Sequence, residues 1–273
     1  MIPPALKIGC QTYTWEMLGG GWTGGPDDLI AAIAGAGYAG IEITDTMIGV
    51  YADRPADFAR RLEDAGLKLA AFAIGSDGGF TEPAGVGADL EAVRRWAGFA
   101  GRFPGAVLSM GSATVMSEGE LGDKFAIAAD VYNRAAEIGR AAGVDVAVHP
   151  SSHHNTLLAT RDDYDRIFAL LEPGVGWVPD TGHILRGGQV IGDTLAAHRD
   201  RIRYLHLKDV DGGGVWAMLG HGACDVPAVI EAVSGAPGFN GWIVAEEESE
   251  VAAADPSAAV RANRATLREL GYR

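Results

Sequence analysis

The chain has 273 residues, with 36 acids against 22 bases and a formal net charge of −14. That balance argues against nucleic acid and anionic membrane surfaces as partners, because both select concentrated Lys and Arg. A hydrophobic content of 48% excludes disorder for most of the length, and no window approaches 18 consecutive apolar residues.

The start of the chain lacks the charged and apolar stretches of a signal peptide. Two cysteines, Cys10 and Cys224, cannot build a disulfide framework, so a reduced, cytoplasmic protein is expected. Short apolar runs then alternate with helical stretches from end to end. The runs are 6–10, 39–43, 67–73, 106–110, 144–149, 175–179, 202–207 and 241–246. Their starts recur at roughly 34 residues, the size of a βα unit. Pro26-Asp27-Asp28 puts proline and acids in a first helical turn, where the missing N–H costs nothing and the helix dipole favours negative charge. Pro55 to Asp57 and Asp225 to Pro227 read the same way. Gly37, Gly66 and Gly143 each stand where a helix ends before the next strand and a positive φ is needed. Eight such units without a linker predict an α/β protein, a single (β/α)8 TIM barrel domain over residues 1–273. A doubly wound open sheet would carry a Gly-rich phosphate turn after its first strand, and Cys10-Gln11-Thr12-Tyr13 is not one.

In a barrel, the C-terminal ends of the strands face the active site. Those ends carry Gln11 and Tyr13, Glu42, His149, Asp180, His206 and Glu246. A lone histidine at such a place is ordinarily a hydrogen-bonded core residue, and the run Glu246-Glu247-Glu248 by itself reads as solvated surface. The stronger signal is that Asp180, His206 and Glu246 end strands six, seven and eight in succession. Unpaired at one mouth, such groups would be costly unless a cation neutralises them. Mixed carboxylate and imidazole donors suit Mn²⁺, Fe²⁺, Co²⁺ or Zn²⁺ better than Ca²⁺.

Five motifs carry a family resemblance across essentially the whole chain. They are Gly9-Cys10-Gln11-Thr12-Tyr13, Gly40-Ile41-Glu42, Asp180-Thr181-Gly182-His183, His206-Leu207-Lys208-Asp209 and Gly241-Trp242-Ile243-Val244-Ala245-Glu246. The chain resembles the xylose-isomerase-like TIM barrels of the sugar phosphate isomerase/epimerase superfamily. That group includes ketose 3-epimerases, hydroxypyruvate isomerase, inosose dehydratase and enzymes cleaving 3-keto-glycosides. The resemblance implies a divalent metal, Mn²⁺ first with Fe²⁺, Co²⁺, Zn²⁺ or Mg²⁺ as alternatives, held by Asp180, His206 and Glu246. It implies His183 as a contact to substrate oxygen beside the metal. Tyr13 and Trp15 would floor a sugar pocket that Glu42 also lines, unless the two aromatics simply pack near strand one.

Strand five departs from the family pattern, because His149 stands where epimerases carry glutamate. The following Ser151-Ser152-His153-His154 resembles the histidine-rich exit of inosose dehydratases, with a solvated loop as the plain alternative for His153 and His154. His149 is then either the fourth ligand or a general base whose ordinary pKa lies near working pH. Epimerases of this type use two metal-bound glutamates, and here only Glu246 remains for that part. β-Elimination needs one base and one acid, which suits the asymmetry. The expected reaction is therefore enolisation of a neutral keto-sugar, keto-inositol or 3-keto-glycoside followed by β-elimination. Isomerisation or epimerisation through the same enediolate is the alternative. Lys208 would orient a hydroxyl or stabilise negative charge, or else form a buried ion pair with Asp209 or Glu42. A metal-dependent endonuclease of the same barrel would need a basic surface, and a binding-only protein would hold no metal. Gly212-Gly213-Gly214 could offer amides to a phosphate, but Asp209 and Asp211 beside it disfavour one. The long loop after strand seven, with the apolar Val215-Trp216-Ala217-Met218 ahead of Gly220-His221-Gly222, would cover the pocket or touch a partner, either a second copy or a small accessory subunit.

Overall fold

The computed structural model describes residues 5–153 and 155–273. Its strands are β1 (Lys7–Gln11), β2 (Gly40–Thr44), β3 (Lys68–Ile74), β4 (Val107–Met110), β5 (Asp145–Val148), β6 (Gly176–Trp177), β7 (Leu205–Leu207), the short β8 (Asp209–Val210) and β9 (Trp216–Ala217), and β10 (Trp242–Ala245). Each of the eight apolar runs thus becomes a strand. These eight pair in parallel in the order β6-β5-β4-β3-β2-β1-β10-β7. The two ends of that order meet: Arg203 N–H donates to Trp177 O at 3.0 Å and His206 N–H to Pro179 O at 2.9 Å, which closes the barrel. β8 and β9 form a separate antiparallel hairpin, a feature the sequence pattern does not announce.

The helices are α1 (Tyr13–Glu16), α2 (Pro26–Ala36), α3 (Pro55–Asp64), α4 (Val86–Ala100), α5 (Leu121–Ala142), α6 (Arg161–Leu170), α7 (Thr181–Arg186), α8 (Ile191–Ala197), α9 (Val226–Ser234), α10 (Glu250–Ala254) and α11 (Pro256–Glu269). Proline opens α2, α3 and α11 as their sequences require, and Asp225 caps α9 by accepting the Ala228 amide at 3.1 Å. Gly37, Gly66 and Gly143 take φ of +84°, +70° and +74°, as the helix exits demand. No helix among the described residues is long and apolar enough to cross a membrane.

Period-two alternation sets what faces the barrel axis. Along one face of the strands run Gly9 and Gln11, Gly40 and Glu42, Ala71 and Ala73, Val107 and Ser109, Ala147 and His149, Val178 and Asp180, Tyr204, His206 and Lys208, and Trp242, Val244 and Glu246. The lower part of these rows is apolar: Ala71, Val107, Ala147, Val178, Tyr204, Trp242 and Val244 form one buried cluster. Trp242 fills the axis only because residue 40 is glycine, since a Cβ there would stand 2.5 Å from its ring. The upper part of the same rows is polar. Six of the eight axial rows therefore end, at the C-terminal end, in a side chain capable of acid–base or ligand chemistry, while those of β3 and β4 end in the small residues Ala73 and Gly75, and Ser109 and Gly111.

Candidate metal centre and active site

Asp180 ends the β6 row and also caps α7. Its Oδ1 accepts the His183 amide at 2.7 Å, while its fully buried Oδ2 has no hydrogen-bond partner. Thr181 bonds the Lys208 amide at 2.8 Å through its hydroxyl, tying the β6 exit to β7. A Cβ on Gly182 would stand 2.6 Å from the Trp216 ring and 3.1 Å from Lys208 Cβ. The Asp-Thr-Gly-His motif thus has a reason at each position: a carboxylate, a strand tie, close packing and a histidine facing the cavity.

Four donors converge here. Ligand atoms of His149, Asp180, His206 and Glu246 all lie within 4.8 Å of one another. His149 Nε2 lies 2.9 Å from His206 Nδ1 and 3.6 Å from Asp180 Oδ2, and Glu246 Oε2 lies 2.7 Å from His206 Nδ1. Behind the cluster Glu42, fully buried, meets His206 Nε2 at 2.7 Å and accepts from Gln11 Nε2 at 3.2 Å. An Nε2–H donated to a carboxylate leaves Nδ1 free to ligate, the usual support for a metal-binding histidine. Glu42 therefore stands behind the four donors and supports His206.

The charge balance also favours a cation. Burial pulls the His206 imidazole down, but Glu42 and Glu246 outweigh it and push the pKa up to about 10. Burial raises the carboxyls of Asp180 and Glu246, yet Lys208 above all holds both below the ordinary carboxylate range. Three carboxylates, Asp180, Glu246 and Glu248, face one lysine. The orphaned Asp180 oxygen, the facing imidazole nitrogens and the mixed donor set fit a divalent cation of the Mn²⁺ or Zn²⁺ kind.

Lys208 departs from its expected place. Successive strand residues face opposite sides, so Lys208 and Asp209 cannot pair, and Glu42 is taken by His206. Lys208 Nζ instead bonds Glu246 Oε1 at 2.8 Å and Glu248 Oε1 at 2.5 Å, with Asp180 Oδ2 at 3.5 Å. Burial lowers its pKa, but Asp180, Glu246 and Glu248 more than compensate and keep it charged. It is 1% exposed and absent from the cavity wall. Its position lets it hold the carboxylates of Glu246 and Glu248 in place. Asp209 turns to its own loop, where its two oxygens accept the amides of Val210, Gly220, Gly222 and Cys224. Asp211 takes the Gly213 amide in the same way, at 2.8 Å, which removes one of the amides that a phosphate would need.

The acidic run after β10 is buried rather than solvated. Glu247 turns outward, accepting Asn263 Nδ2 at 2.7 Å and the Ser249 amide at 2.8 Å. Glu248 turns inward, and burial, with Glu246 adding to it and Lys208 opposing, raises its pKa. The sequence offered only its spacing of two from Glu246 as a signal. A cavity of ≈ 290 Å³ opens over the cluster, lined by Gln11, Tyr13, Glu42, His149, His153, His183, His206, Glu246 and Glu248 among others. Glu16 and Asp45 make the wall beyond β1 and β2 acidic, and burial beside Glu16 raises Asp45 to about 6. Trp15 is a correction: α1 turns it into the apolar core, 2% exposed, and it does not line the cavity. Tyr13 does. His153 Nε2 lies 4.0 Å from Glu248 Oε2, whereas His154 lies outside the described residues.

Comparison with known proteins places this geometry among relatives. A family model described as "Xylose isomerase-like TIM barrel" matches residues 30–270. An inosose dehydratase of Geobacillus kaustophilus (strain HTA426) is 26% identical over 289 residues, covering 92% of this chain and 90% of its own. Among solved structures, the zinc-bound IOLI protein superposes with a TM-score of 0.75 at 16% identity, covering 96% of each chain. The D-psicose 3-epimerase of Clostridium cellulolyticum H10, crystallised with D-tagatose, gives 0.76 at 16% identity over 98% of this chain and 99% of that one. At such identities the two structural likenesses concern the fold.

Proposed function

The chain belongs to the xylose isomerase-like TIM barrel family, and from that premise we propose that it dehydrates a neutral keto-cyclitol or related keto-sugar. His149, Asp180, His206 and Glu246 would hold the required divalent cation, Mn²⁺ first. The observation that carries the reading is their convergence around Asp180 Oδ2, which is buried without a hydrogen-bond partner at the base of the cavity. A divalent cation held there would supply the Lewis acid that polarises a substrate carbonyl and so acidifies the neighbouring C–H. With His149 directed into the cluster through Nε2, it takes the part of fourth ligand rather than general base.

The proton then needs another acceptor. Glu246 is a poor one, since Lys208 and His206 hold it ionised against its burial. Glu248 lines the same cavity with a raised pKa and suits the base. Lys208 positions both carboxylates. His183, 4% exposed and lining the cavity, would donate to the departing oxygen. Base and donor on unlike groups match an elimination: the α C–H gives its proton to the Glu248 carboxylate, the β C–O bond breaks with its oxygen hydrogen-bonded to His183, and the carboxylic acid so formed returns that proton to the departing hydroxide, so that water leaves. The whole-length similarity to an inosose dehydratase supports the cyclitol as substrate class. Residues 1–273 would act as one domain, and two buried free thiols accord with the cytoplasm.

Incubation with an inosose and Mn²⁺ in D₂O, followed by mass spectrometry, tests this. The expected product has lost one water. Deuterium taken into a product that keeps every oxygen would contradict elimination and point to epimerisation or isomerisation.

A further inference from the structure

His183 is held by the loop that follows β5. The Ser152 backbone N–H donates to His183 Nδ1 at 3.0 Å, and Ser152 Oγ lies 2.8 Å from the same nitrogen. A hydroxyl can donate or accept, but a backbone N–H can only donate. Nδ1 must therefore present its lone pair, and in the neutral ring the proton sits on Nε2. Around the ring Trp216 packs edge-on at 5.2 Å, with His149 and His153 each at 5.7 Å, so the ring has little room to turn over.

The opposite side of the ring bears on function. His183 Nε2 lies 3.4 Å from Lys208 Nζ. Lys208 is an ammonium bound to Glu246 and Glu248 and has no lone pair to offer. With the proton on Nε2 this is a contact between two donors, and neither satisfies the other. A buried N–H without an acceptor is costly, and His183 lines the cavity. An oxygen of a molecule bound there would supply the missing acceptor.

We propose that Ser152 is a positioning residue: its backbone N–H locks His183 in the Nε2–H form, which makes His183 a hydrogen-bond donor to a substrate oxygen and unfits it as a base. The use of that donor for the departing hydroxyl rests on the dehydratase reading above. The lock itself does not. It also gives the strand-five exit a second task, since the loop carrying His149 at one end sets the chemistry of a histidine on α7.

Nitrogen NMR of the intact, ¹⁵N-labelled protein, with and without Zn²⁺, tests the lock directly, with His183→Gln used to assign the ring signals. The expected result is an unprotonated Nδ1 with a coupling across the hydrogen bond to the Ser152 amide, retained in Ser152→Ala. A protonated Nδ1, or a ring protonated on both nitrogens at neutral pH, would overturn the proposal. Kinetics on an inosose supply the second arm. His183→Gln still offers an N–H near the Nε2 position and should stay within about tenfold, while His183→Ala loses about 10²- to 10³-fold. A His183→Gln variant as inactive as His183→Ala would contradict the donor role. Should no inosose turn over, the dehydratase reading fails while the NMR result still decides the lock.

Discussion

Asp180 divides its two oxygens between structure and chemistry. Oδ1 caps α7 and Oδ2 faces the two histidines without a hydrogen-bond partner, so removal of the carboxylate removes a helix cap and a proposed metal ligand together. His206 is divided in a similar way, with Glu42 on Nε2 and the cluster on Nδ1. In the metal-free protein its pKa of about 10 means that the imidazole is cationic at pH 8. Because that folded value lies above the ordinary 6.5, the charged form stabilises the fold below about 6.5, and this contribution is lost as pH rises through about 10. A cation on Nδ1 must displace a proton. Calorimetric titration with Mn²⁺ at pH 8, in buffers of differing ionisation enthalpy, should therefore register release of about one proton; absence of release would show that the metal does not use His206. The same titration on Glu42→Gln should give an affinity about 10- to 100-fold weaker, as for other carboxylates that support a ligating histidine.

The element that sets the site most tightly is the turn from β6 into α7, packed against the β8–β9 hairpin. Gly182 is its contact point, with the Trp216 ring and Lys208 on top of it. Gly182→Ala should cost about 1–3 kcal/mol in urea unfolding, the range for overpacking in a tight site. Trp216→Leu should recover part of that loss, since the ring is the nearer obstacle, and a strictly additive double variant would contradict the contact. Much of this level was legible in the sequence. The eight apolar runs, the proline starts and the glycine exits are local signals and appear where the chain places them. Strand ends also told which side chains share the mouth, so Asp180, His206, Glu246 and His149 could be named together. Partner choice was not legible, because it depends on which face a residue takes and on what stands across the barrel. Lys208 beside Asp209 looks like a pair in the sequence, yet strand alternation sends them apart. Glu246, Glu247 and Glu248 look alike and receive three separate environments. Trp15 is near the mouth in sequence but is turned away from it by α1.

Across the whole molecule, the charge of −14 takes on two meanings. Part of it is concentrated at the cavity, in the cluster and in Glu16 and Asp45 on the wall beyond it. That part favours a cation at the base and a neutral rather than phosphorylated substrate above it. A ligand that binds only the folded chain stabilises it by mass action, by about 2.7 kcal/mol at a hundred times its Kd. Mn²⁺ at that level should raise Tm by roughly 5 °C or more. EDTA should reverse the rise, and Asp180→Ala should abolish it. A rise that survives in Asp180→Ala would place the metal elsewhere.

The most direct measurement is an anomalous difference map, recorded at the manganese edge, from crystals grown with Mn²⁺ and soaked with an inosose. The account predicts one strong peak bound by His149 Nε2, Asp180 Oδ2, His206 Nδ1 and Glu246 Oε2, with the substrate carbonyl oxygen as a further ligand. A peak at another place, or one from which His149 has turned away to face the substrate as a base, would contradict it.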